Sequence, residues 1–201
     1  MIKNLIFDFG KVLVDYDFFH AIRPYFETEA DLQEFGELFT SVEFLNRCDK
    51  EEEPFAEIIK DSQRRYPKFE LQLQKFYDHY PEFVTNEIPG MRDLLTRLRN
   101  EGYKLYGLTN WCSMVHKVME KWDILTMLDG RVISSEEKLI KPDVAIFQRL
   151  CDKYGLRPEE CVFTDDRASN VEGAIKAGMQ GIVFYSAEQY ESELREILHC
   201  L

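Results

Sequence analysis

The sequence predicts an α/β protein: a parallel sheet sandwiched between helices, interrupted by an inserted helical segment. Three observations carry that expectation. Short apolar runs recur along the chain, each ending where polar or small residues begin. Amphipathic helical patterns lie between them, and one long aromatic-rich stretch breaks the alternation straight after the first run.

In chain order, "LIFDF" around Asp8 reads as a buried strand, because a strand covered on both faces needs no polar alternation. The stretch from Asp15 to Glu87 follows, with "FFHAIRPYF", "DLQEFGELF", "EPFAEIIKDSQRRY" and "FELQLQKFYDHY". All four segments are amphipathic and none reads as a strand. Residues 15–87 are therefore expected to form a helical cap domain, although a run of ordinary helices within one domain would show the same stripes. After it come the helix "PGMRDLLTRLRNEG", the strand "YKLYGLTN", the strand "GRVISS", the helix "DVAIFQRLCDKYG", the strand "CVFTDD", the helix "ASNVEGAIKAG" and the strand "GIVFY". Proline near a helix start and glycine at its end mark the helix limits. Strict alternation over 89–185 gives the expected core: residues 1–14 and 88–201 in a Rossmann-like three-layer arrangement.

Composition narrows the function classes. The 201 residues suffice for one substantial core plus an insertion, and the net charge of −12 repels nucleic acid and anionic membranes, since no basic patch offsets it. The five cysteines (Cys48, Cys112, Cys151, Cys161 and Cys200) are scattered without metal-binding or disulfide spacing. A reducing, cytoplasmic setting is expected, with no signal sequence or membrane span. The charged clusters "DKEEE" (49–53) and "SEEK" (135–138) are read as solvated faces and turns. The expected partner is a small molecule, and the expected assembly a monomer or small homo-oligomer.

Sites in open α/β sheets form at the carboxyl ends of the strands. Those ends carry Asp8, Thr109 with Asn110, Ser134 with Ser135, and Asp165 with Asp166, while Lys141 follows the third strand in "KLIKPD". Each has a plainer explanation alone: Asp8 as a turn residue, Asp143 as a helix cap beside a surface Lys141, Asp165 and Asp166 as caps of the helix from Ala168. Their common position favours one pocket. Two carboxylates ~4 Å apart at an effective dielectric of ~20 repel by about 4 kcal/mol, so three demand compensating charge. Lys141 supplies one positive charge, and an all-oxygen donor set suits Mg²⁺ for the rest.

These segments resemble the haloacid dehalogenase superfamily of hydrolases. "FDFGKVLVD", "GLTN", "KLIKPD" and "VFTDDRASNVEGA" follow the order of its four motifs, and the helical insertion matches the cap of one large branch. The resemblance implies a Mg²⁺-dependent phosphatase acting on a small phosphorylated metabolite, among them sugar phosphates, through an aspartyl-phosphate on Asp8. It implies that Thr109, Asn110 and Lys141 bind the phosphoryl group. Metal ligands would be the Asp8 carboxylate, the Gly10 carbonyl and Asp166, with Asp165 and Asn170 supporting them from behind. Gly10 would let the backbone approach closely.

One position departs from the pattern. Most phosphatases of the superfamily carry a second aspartate two residues after the nucleophile, where it protonates the leaving oxygen; here that residue is Gly10. Asp15 and Lys11 are the neighbouring substitutes. Two alternatives stay open: 2-haloacid dehalogenation, in which Asp8 attacks carbon without metal, and a non-catalytic phosphate-binding or regulatory role. Substrate choice is expected from cap aromatics (Phe18, Phe19, Tyr25, Phe26, Phe39, Phe44), although most would suit the cap's own core, with Trp111 a pocket wall and Arg23 and Arg47 as cap contributors. The absence of an acid at residue 10 predicts faster turnover of aryl than of alkyl phosphates; equal rates on the two would reveal an acid that the motif does not contain.

Overall fold

Alternating side chains in the first strand create the two faces on which everything else packs. In β1 (Asn4–Phe7), Leu5 and Phe7 join one apolar cluster and Ile6 the other, as period-two geometry requires. The computed structural model describes residues 1–199. Around β1 lie β4 (Lys104–Thr109) and β5 (Gly130–Ile133) on one side, and β6 (Cys161–Asp165) and β7 (Gln180–Val183) on the other. The spatial order is β5-β4-β1-β6-β7 and every pairing is parallel. The five expected strands are all present. "GRVISS" ends sooner than expected, because Ser134 and Ser135 open the short helix α7 (Ser134–Glu137).

Helices cover both faces. Phe147 and Leu150 of α8 (Val144–Tyr154) and Ala174 of α9 (Ala168–Lys176) pack on the side of Ile6 and Phe163. Leu94, Leu95 and Leu98 of α5 (Met91–Asn100), Val115 and Val118 of α6 (Val115–Lys121), and Tyr190 and Leu194 of α10 (Ala187–His199) pack on the side of Leu5 and Phe7. Asp143 caps α8 by accepting from the Ala145 amide at 2.9 Å.

Between β1 and α5 lies the helical insertion: α1 (Glu29–Phe39), α2 (Val42–Lys50), α3 (Phe55–Arg65) and α4 (Glu70–Asp78). Thr28 and Ser41 cap α1 and α2, their hydroxyls accepting from the amides of Asp31 and Phe44. Phe35, Phe39, Phe69 and Phe76 form its aromatic centre, with the Phe35 and Phe39 rings 4.6 Å apart. The structure corrects the strand-free reading of this region. β2 (Val14–Tyr16) and β3 (Val84–Glu87) pair antiparallel, Val14 opposite Glu87 and Tyr16 opposite Val84, and carry the chain into and out of the insertion. "VDY" and "VTNE" are too short to show a period, so tertiary neighbours decide their conformation.

Cys48, Cys112, Cys151 and Cys161 are buried and free, and Cys200 lies outside the described residues. Among the described residues no helix is long and apolar enough to cross a membrane.

One close contact fixes the loop that will matter below. A Cβ on Gly173 of α9 would sit 2.5 Å from the Pro142 carbonyl oxygen and 3.0 Å from Phe147 Cε2, and backbone has little room to yield. Gly173→Ala is expected to cost about 1–3 kcal/mol by overpacking, lowering the thermal midpoint by about 2–12 °C in a calorimetric scan; an unchanged midpoint would refute this contact.

Candidate active site

The parallel ladder runs to the end of β1 and leaves a carboxylate at its tip. The Asp8 amide donates to the Thr164 carbonyl at 2.9 Å, so the backbone is held as strand while the side chain turns out at the carboxyl edge. Lys141 meets it there from the loop before α8. Its Nζ donates to Asp165 Oδ2 at 2.7 Å and to the Leu108 carbonyl at 2.9 Å, and lies 2.8 Å from Asp8 Oδ1. Two of the ammonium protons are thus hydrogen-bonded, while Asp8 Oδ1 is held by charge alone and has no hydrogen-bond partner of its own. The side chains of Lys141 and Asp165 are wholly inaccessible, whereas Asp8 is 13% exposed and opens onto a cavity.

Asn110 holds the lysine loop in place. Its Oδ1 accepts from the Lys141 amide at 2.8 Å and its Nδ2 donates to the Lys141 carbonyl at 3.0 Å. Asp165 is equally occupied: besides Lys141, it accepts from the Arg167 amide at 2.9 Å and from Asn170 Nδ2 at 3.0 Å to each oxygen. Thr109 is buried at the end of β4, and Asp166 is half-buried on the cavity wall. Asp8, Asp165 and Asp166 each bring one carboxylate oxygen to within 4.8 Å of the others.

Three acids share the neighbourhood of one lysine, which leaves negative charge in excess. Burial pushes Asp8 up to about 6; Lys141 opposes the rise and Asp165 adds to it. Burial raises Asp166 as well, with Asp165 contributing repulsion. Lys141 goes up despite burial, because Asp165 and Asp8 favour its charge. An oxygen-only donor set with unbalanced charge fits a hard divalent cation better than a soft one.

Residues not singled out by sequence complete the cavity. Asp49, at the end of α2, lines it together with Tyr16 and Arg167. Burial pushes the Asp49 carboxyl up to about 7, with Arg167 and Lys141 opposing and Asp8 reinforcing the rise. Tyr16 fills the space beside Gly10: a Cβ there would lie 2.8 Å from Tyr16 Cε1.

The reading of "DKEEE" as a solvated turn is therefore corrected. Glu51 is 7% exposed, and its carboxylate accepts from the Ser113 amide (2.6 Å) and hydroxyl (2.8 Å) and from the Phe55 amide (3.0 Å). "SEEK" reaches the same junction through Lys138, whose Nζ donates to the Glu51 carbonyl, and Ser134 just before it donates Oγ to the Asp49 carbonyl at 2.6 Å. Charged composition masked burial that only long-range partners explain.

Other expected contributors lie elsewhere. Lys11 pairs with Asp15, Arg23 with Glu29, and Arg47 with Glu53 and Asp61; none of these lines the cavity. Of the aromatics, Phe18 and Phe44 reach the cavity. So does Trp111, whose indole donates to Tyr80 Oη at 2.9 Å, while Phe39 belongs to the insertion's own core.

The sequence model of the family described as haloacid dehalogenase-like hydrolase matches residues 5–184. Flavin mononucleotide hydrolase 1 of Arabidopsis thaliana is 27% identical over 110 residues, 55% of this chain and 45% of that protein. A glyceraldehyde 3-phosphate phosphatase of Pyrococcus furiosus is 30% identical over 111 residues (54% and 46%), and an (S)-2-haloacid dehalogenase of Burkholderia cepacia 28% over 95 residues (47% and 41%). The matches thus span about half the length of these curated relatives. A solved enzyme of the family from Bacteroides thetaiotaomicron, in complex with magnesium and inorganic phosphate, shares the fold. Its TM-score is 0.75 at 24% identity, over 93% of this chain and 96% of that one.

Replacing Lys141 by Met should leave Asp8 and Asp165 uncompensated and cost about 3–5 kcal/mol, a fall of at least about 6 °C in thermal midpoint. Without the ammonium the main opposition to the upward push of burial on Asp8 is gone, and its folded value lies further above its unfolded one. Stability then falls as pH rises through that value, so the deficit should be larger at pH 8 than at pH 5. Midpoints of the two proteins measured at both pH values check this; a deficit equal at the two would refute it.

Proposed function

The chain belongs to the haloacid dehalogenase-like hydrolases, and on that premise we propose that it is a Mg²⁺-dependent phosphatase of a small phosphorylated metabolite, with sugar phosphates within the class. The observation that carries this reading is the meeting of Asp8, Asp165 and Asp166 around one buried lysine at the edge of an open cavity. A glyceraldehyde 3-phosphate phosphatase among the relatives supports the substrate class, and the magnesium and phosphate in a solved family member support the cofactor.

On this reading Asp8 attacks phosphorus, forming an aspartyl-phosphate as the ester P–O bond breaks, and water later cleaves the acyl phosphate. Lys141 keeps Asp8 anionic and faces the charge on the transferring group. Thr109 and neighbouring backbone amides hold phosphoryl oxygens, while Asn110 keeps the lysine loop in register. The Asp8 carboxylate, the Gly10 carbonyl and Asp166 would hold Mg²⁺, which when bound neutralises phosphate charge and aligns the attack. Asp165 has both oxygens engaged by Lys141, Asn170 and the Arg167 amide, which favours a supporting place for it and for Asn170. The helical insertion serves as the cap over the cavity. A metal-free dehalogenase would have to keep Asp8 ionised although burial, and after it the charge of Asp165, push its proton affinity up, with only Lys141 as a cation in opposition.

Release of phosphate from p-nitrophenyl phosphate, and of halide from a 2-chloro acid, with and without Mg²⁺, tests the reading. Phosphate release that requires Mg²⁺ and falls by at least about 10³-fold in Asp8→Asn is expected. Metal-independent halide release would replace it by the dehalogenase reading. Mg²⁺ at about 100 times its Kd should also stabilise the protein by about 2.7 kcal/mol, raising its thermal midpoint, and this gain should shrink in Asp166→Asn. An equal gain in both proteins would remove Asp166 from the ligand set.

A further inference from the structure

Gly10 leaves the nucleophile's own loop without a proton donor, and the space a donor would take is filled by the Tyr16 ring. The nearby Lys11 and Asp15 are spent on each other and do not line the cavity. A leaving oxygen departing from phosphorus would therefore need its proton from another wall.

The end of α2 supplies one. Asp49 lines the same cavity as Asp8, Lys141 and Arg167. Among the described residues no hydrogen bond or ion pair engages that carboxyl, whereas Glu53 and Asp61 of the same insertion are tied to Arg47. Its backbone is nevertheless anchored. The Asp49 carbonyl accepts from Ser134 Oγ, which in turn accepts from the Trp111 amide at 2.9 Å, and two residues on Glu51 is bonded to Ser113. The result is an uncommitted carboxyl on a fixed backbone, on the wall of the cavity that holds the nucleophile. That is the arrangement required of a group that must change protonation at one point in space.

We propose that Asp49 is the general acid of the reaction, a role that rests on the phosphatase reading above. As Asp8 bonds to phosphorus and the P–O bond to the leaving group breaks, the electron pair stays on the ester oxygen, which takes the proton of the Asp49 carboxyl. The resulting Asp49 carboxylate takes a proton from the water that attacks the aspartyl-phosphate, and the cycle closes with its acid form restored. The aryl preference expected from Gly10 alone then belongs to a variant without Asp49 and not to the wild type.

The test is kcat/KM on p-nitrophenyl phosphate and on ethyl phosphate, with Mg²⁺, for wild type, Asp49→Asn and Asp49→Ser. This ratio reports events up to departure of the leaving group. Both variants should lose about 10²–10⁴-fold on ethyl phosphate, whose alkoxide needs the proton, and less than about threefold on p-nitrophenyl phosphate, whose phenolate does not. Unaltered thermal midpoints would exclude damage to the junction as the cause. Equal losses on the two substrates, or no loss on ethyl phosphate, would overturn the role of Asp49 while leaving the phosphatase reading in place. A wild type active on neither substrate would overturn both.

Discussion

The Lys141 ammonium, sealed between Asp8, Asp165 and the Leu108 carbonyl, is the contact on which the rest of the site depends. Two carboxylates from different strands approach each other only because this charge lies between them. Its position is itself determined from behind: Asn110 binds the lysine backbone on both sides, and Gly173 admits the Pro142 carbonyl against α9. The ends of β4 and β6 and the loop before α8 are thus assembled around a single cation. Asp8 then faces the cavity already ion-paired, and Asp166 is free of Lys141.

A second set of polar contacts fastens the insertion to the sheet. Ser134, Ser113 and Lys138 on the core side meet Asp49 and Glu51 on the other, through the carbonyls of both and the carboxylate of Glu51. Asp49 takes part through its carbonyl alone, so the junction fixes where that residue lies and leaves its side chain to the cavity wall. The aromatic centre around Phe35 and Phe76 holds the insertion together independently of that junction.

The core was legible because its strands are continuous apolar runs and their ends are punctuated by the only chemically unusual residues in each run. Asp8, Asp165 and Asp166 could be placed together because a parallel sheet puts all carboxyl ends on one edge, and Lys141 because the chain after the third strand is short enough to reach them. The two-stranded ribbon was not legible: three residues of β2 and four of β3 carry no period, and their pairing joins positions about seventy residues apart. Asp49, Glu51 and Arg167 escaped for a different reason. Charged residues in a polar context look like solvated surface, and only the partner across the cavity or the junction shows otherwise. Gly10 was visible as a missing acid, but the ring of Tyr16 that lies against it arrives from the ribbon that the sequence concealed.

That last contact links the fold to the chemistry. β2 turns Tyr16 back against the loop that follows Asp8, and an ordinary side chain at residue 10 would collide with its ring. A donor displaced from the nucleophile's loop has to come from an element that approaches from the other side, and α2 is the helix whose end reaches the cavity there with an unpaired carboxyl. The proposed mechanism, with Asp8 and Asp49 on separate elements, has a mechanical consequence. Its proton transfer requires the insertion to be seated on the sheet, so the contacts of Ser134 and Glu51 that seat it would bear on that step as directly as on stability.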